Sequence, residues 1–235
     1  MDDSLFELEF RPRPTAEQPL LGLTVLVVED SRFASEAMRL MCLRSGARIR
    51  RADCIASASR HLNVYRPSVA IIDLGLPDGS GLELIARMHA MRPRVPILLG
   101  TSGADRALAR AECAAAGADG FLAKPVGSLA EFQSLILGLM PPDLRPSGPR
   151  LAPNSLPAPD LIALREDLTH AISLLALDDP PAGYLKRFLL GLARSAADSA
   201  LEGHAHDMPT QLAPNERKVL RAFLSQRIAA LPMAV

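Results

Sequence analysis

Hydrophobic residues between positions 23 and 140 occur in short runs, and each run is followed by a longer segment with helical spacing. Short runs without charges are typical of strands that are buried on both faces of a parallel sheet. The pattern occurs five times and predicts strands at residues 24–28, 47–51, 69–72, 95–99 and 119–123. It predicts helices between Ser31 and Gly46 and at residues 55–65, 82–91, 104–116 and 128–140. The second strand is basic and weakly apolar, which suits a sheet edge. The alternation predicts an α/β fold with helices on both faces of a parallel sheet.

Polar side chains follow four of the five predicted strands. They are Glu29 and Asp30, Asp73, Thr101 and Lys124. The carboxyl ends of parallel strands meet at one edge of a sheet, where ligands bind, so we expect these residues to cluster. Three carboxylates in one place repel one another unless a cation offsets their charge, and Mg²⁺ prefers such oxygen ligands. The lysine and the hydroxyl opposite them suit a phosphoryl group. Taken alone, Asp73 is equally consistent with a residue that caps the next turn.

Composition narrows the class of protein. The 235 residues carry 26 basic and 26 acidic side chains, so the net charge gives no global case for binding nucleic acid or an anionic membrane. The three cysteines are far apart, without metal-ligand spacing, which favours reduced thiols. No apolar run is long enough to span a bilayer, and the acidic N-terminus does not look like a secretion signal. We therefore expect a cytoplasmic protein without a membrane partner.

With these motifs in this order, residues 23–140 resemble the receiver domain of two-component response regulators. The resemblance implies a flavodoxin-like, doubly wound sheet of five parallel strands in the order 2-1-3-4-5. It also implies a role for each strand-end residue. Asp73 would be the phosphoacceptor, Thr101 the hydroxyl that moves towards the phosphoryl group, and Lys124 the lysine that contacts it. Glu29, Asp30, Asp73 and the backbone carbonyl of Gly75 would hold Mg²⁺.

The resemblance extends to two further positions and has three departures. Phe121 occupies the aromatic switch position, and the Lys124–Pro125 bond is expected to be cis. Gly100 replaces an apolar residue of the fourth strand, and Ser102 is an alternative to Thr101 as the hydroxyl ligand. Gly75 and Gly103 lack side chains beside the phosphoryl position. We expect them to leave access for water, which predicts no unusually long-lived phosphoryl state.

The rest of the chain divides by composition. Residues 1–20 are predicted to form a flexible N-terminal arm, residues 21–140 the receiver, and residues 141–159, with seven prolines, a semi-extended linker. Residues 160–235 show three apolar stripes at helical spacing, at residues 161–175, 184–203 and 219–228. Short helices of this kind bury little surface alone, so we expect them to pack on the receiver, on a second copy of the chain or on a partner.

The helical region contains features of several possible roles. Residues 212–220 are similar to the opening helix of helix-turn-helix domains, but no recognition helix follows, so DNA is an unlikely partner. His170 lies on a predicted helix and is expected to be exposed; it lacks the flanking motif of a phosphotransfer histidine. His204 and His206 are a weak metal motif in a predicted loop. Protein interaction or dimerisation through the apolar stripes is the favoured role.

Together these features predict a response regulator that accepts a phosphoryl group on Asp73 from a histidine kinase or a histidine phosphotransfer protein, with Mg²⁺. It is a signalling protein rather than an enzyme, since it catalyses only its own phosphotransfer and slow dephosphorylation. Phosphorylation is expected to act through Thr101 and Phe121 on the face built by the fourth helix, fifth strand and fifth helix, and so on the helical region. The output would be a homodimer or a downstream protein partner. The alternatives are a DNA-binding transcriptional regulator and a receiver-like binding module that is not phosphorylated.

Overall fold

The computed structural model describes residues 13–103, 105–146 and 160–232. Five strands form one parallel sheet: β1 Thr24–Val28, β2 Arg48–Ala52, β3 Val69–Asp73, β4 Ile97–Ser102 and β5 Gly120–Ala123. Their order is β2-β1-β3-β4-β5, which confirms the predicted flavodoxin-like topology and places the basic strand β2 at an edge. A short antiparallel ladder, Gly75–Leu76 with Gly79–Ser80, follows β3.

Nine α-helices lie in the described part of the chain. Five of them connect or follow the strands: α1 Arg32–Arg44, α2 Ile55–Val64, α3 Gly81–Ala90, α4 Arg106–Ala115 and α5 Leu129–Leu139. The other four form the helical region: α6 Leu161–Leu175, α7 Ala182–Ser195, α8 Ser199–His206 and α9 Pro214–Ala230. None of these helices is both long enough and apolar enough to cross a membrane.

The core lies on both faces of the sheet because successive side chains of a strand point to opposite sides. Val27 and Ile71 pack in one cluster, together with Phe132 of α5. Leu26 and Ile72 pack in the other, together with residues of α3 and α4. This explains why Val25–Val28 of β1 and Val69–Ile72 of β3 are all apolar: neither face of the sheet is open to water there.

The predicted fourth strand ended too early. It was expected to end at residue 99, but β4 continues to Ser102, and Thr101 pairs with Asp73 of β3 in the parallel ladder. Gly100 does not interrupt the strand. A Cβ atom at this position would lie 2.1 Å from Cys113 Sγ, so glycine lets α4 pack closely on β4. Between residues 23 and 140 the other predicted bounds lie within two residues of the observed ones, whereas the last helix begins at Pro214, five residues before the predicted apolar stripe.

The predicted second helix of the C-terminal region is in fact two helices. Ala197 has a positive φ of 53° and separates α7 from α8, whose N-terminus is capped by the Asp198 side chain. His204 and His206 therefore lie on α8, and the prediction of a loop there was wrong. His204 stacks on Phe223 of α9 at 3.8 Å between ring centroids. His170 is exposed on α6, as expected.

The helical region packs on the receiver. Phe33 of α1 is part of the same buried cluster as Leu185 and Leu189 of α7 and Leu168 of α6. The region lies on α1 and on the carboxyl edge of the sheet rather than on the face of α4, β5 and α5 that we expected phosphorylation to remodel. The apolar stripes were predicted to pack on the receiver, on a second copy of the chain or on a partner. In the described residues they pack on the receiver.

Two predicted segments are described only in part. Leu20, at the end of the predicted N-terminal arm, is fully buried, and its N–H donates to the Ser45 carbonyl at 2.8 Å. Residues 142–144 of the predicted linker form a 3₁₀ turn. Residues 1–12 and 147–159 lie outside the described residues. The division of the chain into arm, receiver, linker and helical region stays a prediction.

Candidate functional site

The carboxyl edge of the sheet brings an acid pair, a single aspartate and a lysine together. Glu29 follows β1, Asp73 ends β3 and Lys124 follows β5. Lys124 Nζ lies 2.6 Å from Glu29 Oε2 and 2.8 Å from Asp73 Oδ2, and the lysine side chain is 3% exposed. The Lys124–Pro125 bond that precedes the helix α5 is cis, as the resemblance implied. One buried cation thus bridges carboxylates that are 44 residues apart in the chain (residues 29 and 73).

The carboxylates outnumber the cation that neutralises them. Ligand atoms of Glu29, Asp30 and Asp73 lie within 4.8 Å of one another, and this is the cluster of possible metal ligands found among the described residues. Burial raises the pKa of Glu29 well above its usual range. Burial, and then the charge of Asp73, raise the pKa of Asp30 to about 7. Burial disfavours the charge on Lys124, but Asp73 and Glu29 outweigh this effect and raise its pKa. A divalent cation fits a site with this excess of buried negative charge.

The hydroxyl next to Asp73 has no hydrogen-bond partner among the described residues. Thr101 is fully buried, and its Oγ1 is left without an acceptor or donor. A buried hydroxyl without a partner costs free energy, so such groups usually meet a ligand or another polar atom. Ser102, the alternative, lies at the edge of a cavity beside Asp73 and is 9% exposed. Thr101 is the residue in register with Asp73.

Helix α7 lies against the two glycines beside Asp73, a contact that the sequence did not predict. The expectation that these glycines leave access for water, and so no unusually long-lived phosphoryl state, stays a prediction. A Cβ atom on Gly103 would lie 2.7 Å from Gly191 Cα, because the two backbones are in direct contact. A Cβ atom on Gly75 would lie 3.4 Å from Arg187 Cβ. Both positions therefore accommodate the helix, and both also line a cavity that lies between α7 and Asp73.

Tyr184 of α7 contacts the acid pair directly, which the sequence did not reveal. Its hydroxyl donates a hydrogen bond of 2.6 Å to Asp30 Oδ2. Burial, and then the neighbouring charge of Asp30, raise the pKa of Tyr184, so the phenol stays a donor. In the sequence, Tyr184 is one member of an apolar stripe, and no local signal distinguishes it from a core residue.

A second contact from the helical region fixes the start of α1. Asp167 of α6 accepts hydrogen bonds from Ser31 Oγ at 2.7 Å, from the Arg32 N–H at 2.9 Å and from the Phe33 N–H at 3.0 Å. Its side chain therefore pairs N–H groups that the helix leaves free at its N-terminus. Burial raises the pKa of Asp167, although these hydrogen bonds oppose the shift. Because Ser31, the N-cap of α1, directly follows Asp30, this contact lies within a few residues of the acid pair.

Phe121 of β5 is buried between the sheet and α4. It is 7% exposed and packs in the same cluster as Ala109 and Cys113. Its side chain therefore lies on the opposite side of the sheet from the cluster that contains Phe132. The role of Phe121 as a switch stays a prediction.

This fold, with an acid pair, an aspartate and a lysine at one edge of the sheet, defines a class of protein. Residues 25–136 match the family model of the response regulator receiver domain. This part of the chain is therefore a response regulator receiver domain, a signalling module rather than a conventional enzyme. The match ends before the helical region begins.

Particular relatives share this domain. The chain is 35% identical over 103 residues to the transcriptional regulatory protein PhoP of Escherichia coli O157:H7, which covers 44% of this chain and 46% of PhoP. It is 34% identical over 103 residues to the virulence transcriptional regulatory protein PhoP of Salmonella typhimurium strain LT2, with the same coverage. The chain thus spans less than half the length of these curated relatives.

Two solved structures align with about half of the chain. The signal receiver domain of a DNA-binding response regulator from Colwellia psychrerythraea is 23% identical with a TM-score of 0.45, covering 50% of this chain and 97% of that one. The receiver domain of a sensor histidine kinase from Pseudomonas aeruginosa, which has a magnesium ion in its active site cleft, is 24% identical with a TM-score of 0.45. It covers 50% of this chain and 96% of that one.

Proposed function

We propose that this chain is a response regulator that accepts a phosphoryl group on Asp73 from a histidine kinase or a histidine phosphotransfer protein. The observation that supports this most directly is the pairing of a buried Asp73–Lys124 contact with the partnerless hydroxyl of Thr101. An aspartate held this way is oriented for attack. The Thr101 hydroxyl, which has no hydrogen-bond partner among the described residues, can donate a hydrogen bond to a phosphoryl oxygen.

Each residue of the site has a task in this transfer. A carboxylate oxygen of Asp73 attacks phosphorus in line with the leaving nitrogen of a phosphohistidine. Lys124 holds a positive charge next to the new phosphoryl group, and Thr101 donates to one of its oxygens. Glu29, Asp30, Asp73 and the Gly75 carbonyl would hold Mg²⁺, which supplies positive charge to the transferring group when it is bound.

The docking of α7 links this chemistry to an output. The helix contacts Asp30 through Tyr184, contacts Gly103 through Gly191, and covers the approach to Asp73. A phosphodonor protein needs this surface, so α7 and the donor compete for it. Phosphorylation would then bias an equilibrium between docked and released helical regions, and the released apolar faces would bind a second copy or a downstream protein.

Incubation with acetyl phosphate tests the transfer. Wild type is expected to gain the mass of one phosphoryl group in the presence of Mg²⁺ and none after chelation. Asp73→Asn removes the nucleophile and should gain nothing. Asp143→Asn, a matched change at an exposed aspartate, should behave as wild type. Intact-mass spectrometry measures the gain, and size-exclusion chromatography of the same samples reports any change in assembly. Absence of phosphorylation in wild type under all conditions would favour the binding-module alternative.

The affinity for Mg²⁺ is expected to rise about tenfold between about pH 6 and about pH 8. The pKa of Asp30 is raised to about 7 by burial and by Asp73, so a proton competes with the cation below this pH and is lost above it. The half-saturating Mg²⁺ concentration should therefore fall as the pH rises, as measured by calorimetric titration. Asp30→Asn should bind more weakly and show a flatter pH profile. An affinity that does not vary with pH in wild type contradicts the role of Asp30 as a ligand.

DNA binding is the second candidate function. The expectation that DNA is an unlikely partner receives no support from the comparisons, since the relatives named PhoP are transcriptional regulatory proteins. In the described structure Arg217 of α9 donates to the carbonyls of Leu212, Leu177 and Asp178. That arginine is therefore engaged within the helical region. A gel shift with genomic fragments, repeated at several salt concentrations, decides whether this chain binds DNA.

A further inference from the structure

A cavity of about 380 Å³ lies between α7 and the carboxyl edge of the sheet. Asp73, Gly75 and Ser102 line it from the receiver, and Arg187, Leu190 and Gly191 line it from α7. The docked helix thus covers Asp73 but leaves a chamber beside it. Pockets of about 300–1,000 Å³ are typical of small-molecule sites. This chamber is therefore large enough for a small ligand, while the docked helix excludes a protein.

Arg187 places a guanidinium in the wall of this chamber. The Nε, Cδ and Cβ atoms of Arg187 lie 3.6, 3.7 and 3.4 Å from the position that a Cβ atom on Gly75 would occupy. Its Nη1 lies 3.8 Å from the corresponding position on Gly183, one turn earlier on α7. The absence of side chains at Gly75 and Gly183 gives the guanidinium room to turn. The Arg187 side chain therefore passes over Gly75, two residues after Asp73.

The guanidinium of Arg187 is not engaged elsewhere in the described part of the chain. Lys186, its neighbour on α7, donates to the carbonyls of His206 and Met208, and Arg194 pairs with Glu202. Arg187 makes no hydrogen bond or ion pair with any described residue, and it is exposed. A charged side chain that is unpaired and faces a chamber with a nucleophilic carboxylate is suited to bind an anion.

We propose that the chamber under α7 is a binding site for a small acyl phosphate donor, and that Arg187 binds the oxygens of its phosphoryl group. Guanidinium binds phosphate through two parallel hydrogen bonds, which fix orientation as well as position. This proposal rests on the proposed function, since Asp73 has to be the acceptor. It adds that the helical region supplies part of the donor site, so the docked state accepts small donors.

The transfer balances without another reactant. With an acyl phosphate, the bond between phosphorus and the bridging acyl oxygen breaks, and a bond between phosphorus and an Asp73 carboxylate oxygen forms. The carboxylate leaves with the bonding electron pair, so no proton is required. Arg187 would hold two non-bridging oxygens and would remain with the phosphoryl group as it moves to Asp73.

The chamber also contains acidic groups that offer Arg187 an alternative partner. Asp105 lines it, but one oxygen of its side chain already accepts from the Ala107 and Leu108 N–H groups at 3.0 and 2.9 Å. Glu112, farther along α4, is exposed. If Arg187 served only to attract these carboxylates and hold α7 in place, its removal would loosen the helix and would not weaken donor binding.

Initial rates of phosphorylation at varied acetyl phosphate concentrations separate these roles. Arg187→Ala is expected to raise the half-saturating donor concentration about tenfold and to change the saturating rate less than about twofold, because a binding contact is lost and the nucleophile is kept. Arg187→Lys keeps a positive charge but loses the paired N–H groups of the guanidinium. Its half-saturating donor concentration should fall between those of wild type and Arg187→Ala. Arg221→Ala removes an exposed arginine from α9 and should match wild type. Thermal melting checks that all variants fold.

A second readout measures binding without transfer. The ³¹P resonance of acetyl phosphate should broaden when the Asp73→Asn variant is added, because the donor binds without transfer. The double variant Asp73→Asn with Arg187→Ala should not broaden this resonance. If wild type is phosphorylated and Arg187→Ala is phosphorylated at the same rate or faster at every donor concentration, this inference is overturned and the proposed function still stands. Wild type that is never phosphorylated overturns both.

Discussion

Replacing Gly103 by valine is expected to displace α7 from the phosphoacceptor edge. A Cβ atom at this position would lie 2.7 Å from Gly191 Cα, 3.1 Å from Gly191 N and 3.3 Å from the Leu190 carbonyl oxygen. All three are backbone atoms of a helix, so the clash cannot be relieved by a side-chain rotation. Overpacking of this kind costs about 1–3 kcal/mol.

Hydrogen–deuterium exchange over α7 measures this displacement. The Gly103→Val variant should exchange the amides of Ala182–Ser195 at least about tenfold faster than wild type, because opening of the helix becomes less costly. If α7 competes with a phosphodonor protein, the same variant should accept a phosphoryl group from such a protein faster. Gly203→Val is the matched control, since nothing lies within 4 Å of a Cβ atom there. Unchanged exchange over α7 in Gly103→Val would show that the two backbones are not held in contact in solution.

The Asp167→Ala variant is expected to lose about 2–4 kcal/mol of unfolding free energy. Asp167 is 3% exposed and accepts three hydrogen bonds, two of them from N–H groups at the start of α1. Alanine would leave these donors buried without an acceptor. It would also remove the polar contact that joins α6 to the receiver. The nearby ion pair of Arg32 with Glu166 adds little, since both side chains are largely exposed.

Urea unfolding of purified variants measures this loss. Asp167→Asn keeps one acceptor oxygen and should fall between Asp167→Ala and wild type. Asp179→Ala removes an exposed aspartate from the loop before α7 and should stay within about 0.5 kcal/mol of wild type. A loss below about 1 kcal/mol for Asp167→Ala would mean that water replaces the lost acceptor and that the contact contributes little.

These two contacts act on the same equilibrium from different sides. Asp167 holds α6 at the start of α1, and Gly103 permits α7 to lie against the end of β4. Both lie next to the residues that would bind Mg²⁺ and the phosphoryl group. Any ligand that prefers one of the two arrangements shifts the population towards it by its difference in affinity. Direct contacts thus join the docked helical region to the residues of the proposed site.

Sequence reasoning could predict the strands and the edge where polar residues gather. Apolar runs that are buried on both faces leave a strong signal, and parallel strands bring their carboxyl ends together whatever lies between them. The signal was weaker at strand ends: Gly100 looked like the end of β4 because glycine is unfavourable inside a strand. Only the packing of Cys113 against it explains why glycine is required there.

The amino-acid sequence by itself therefore determined the α/β class with a parallel sheet and the approximate place of Asp73, Lys124 and the acid pair. It also determined that the C-terminal region has apolar faces to bury, since the spacing of its leucines is helical. Both properties follow from local periodicity and from the geometry that every parallel sheet shares.

Only the tertiary structure decided which surface those apolar faces cover. An amphipathic helix specifies that it must pack, but its stripe does not specify the partner, because hydrophobic burial is non-directional. Asp167 and Tyr184 contact receiver residues that are 134 and 154 positions away in the chain, so no local sequence pattern predicts these contacts. For the same reason the sequence does not predict that Gly103 contacts the Gly191 backbone and that Gly75 contacts the Arg187 side chain. A residue without a side chain leaves room for solvent or for a neighbouring helix, and only the tertiary structure decides between them.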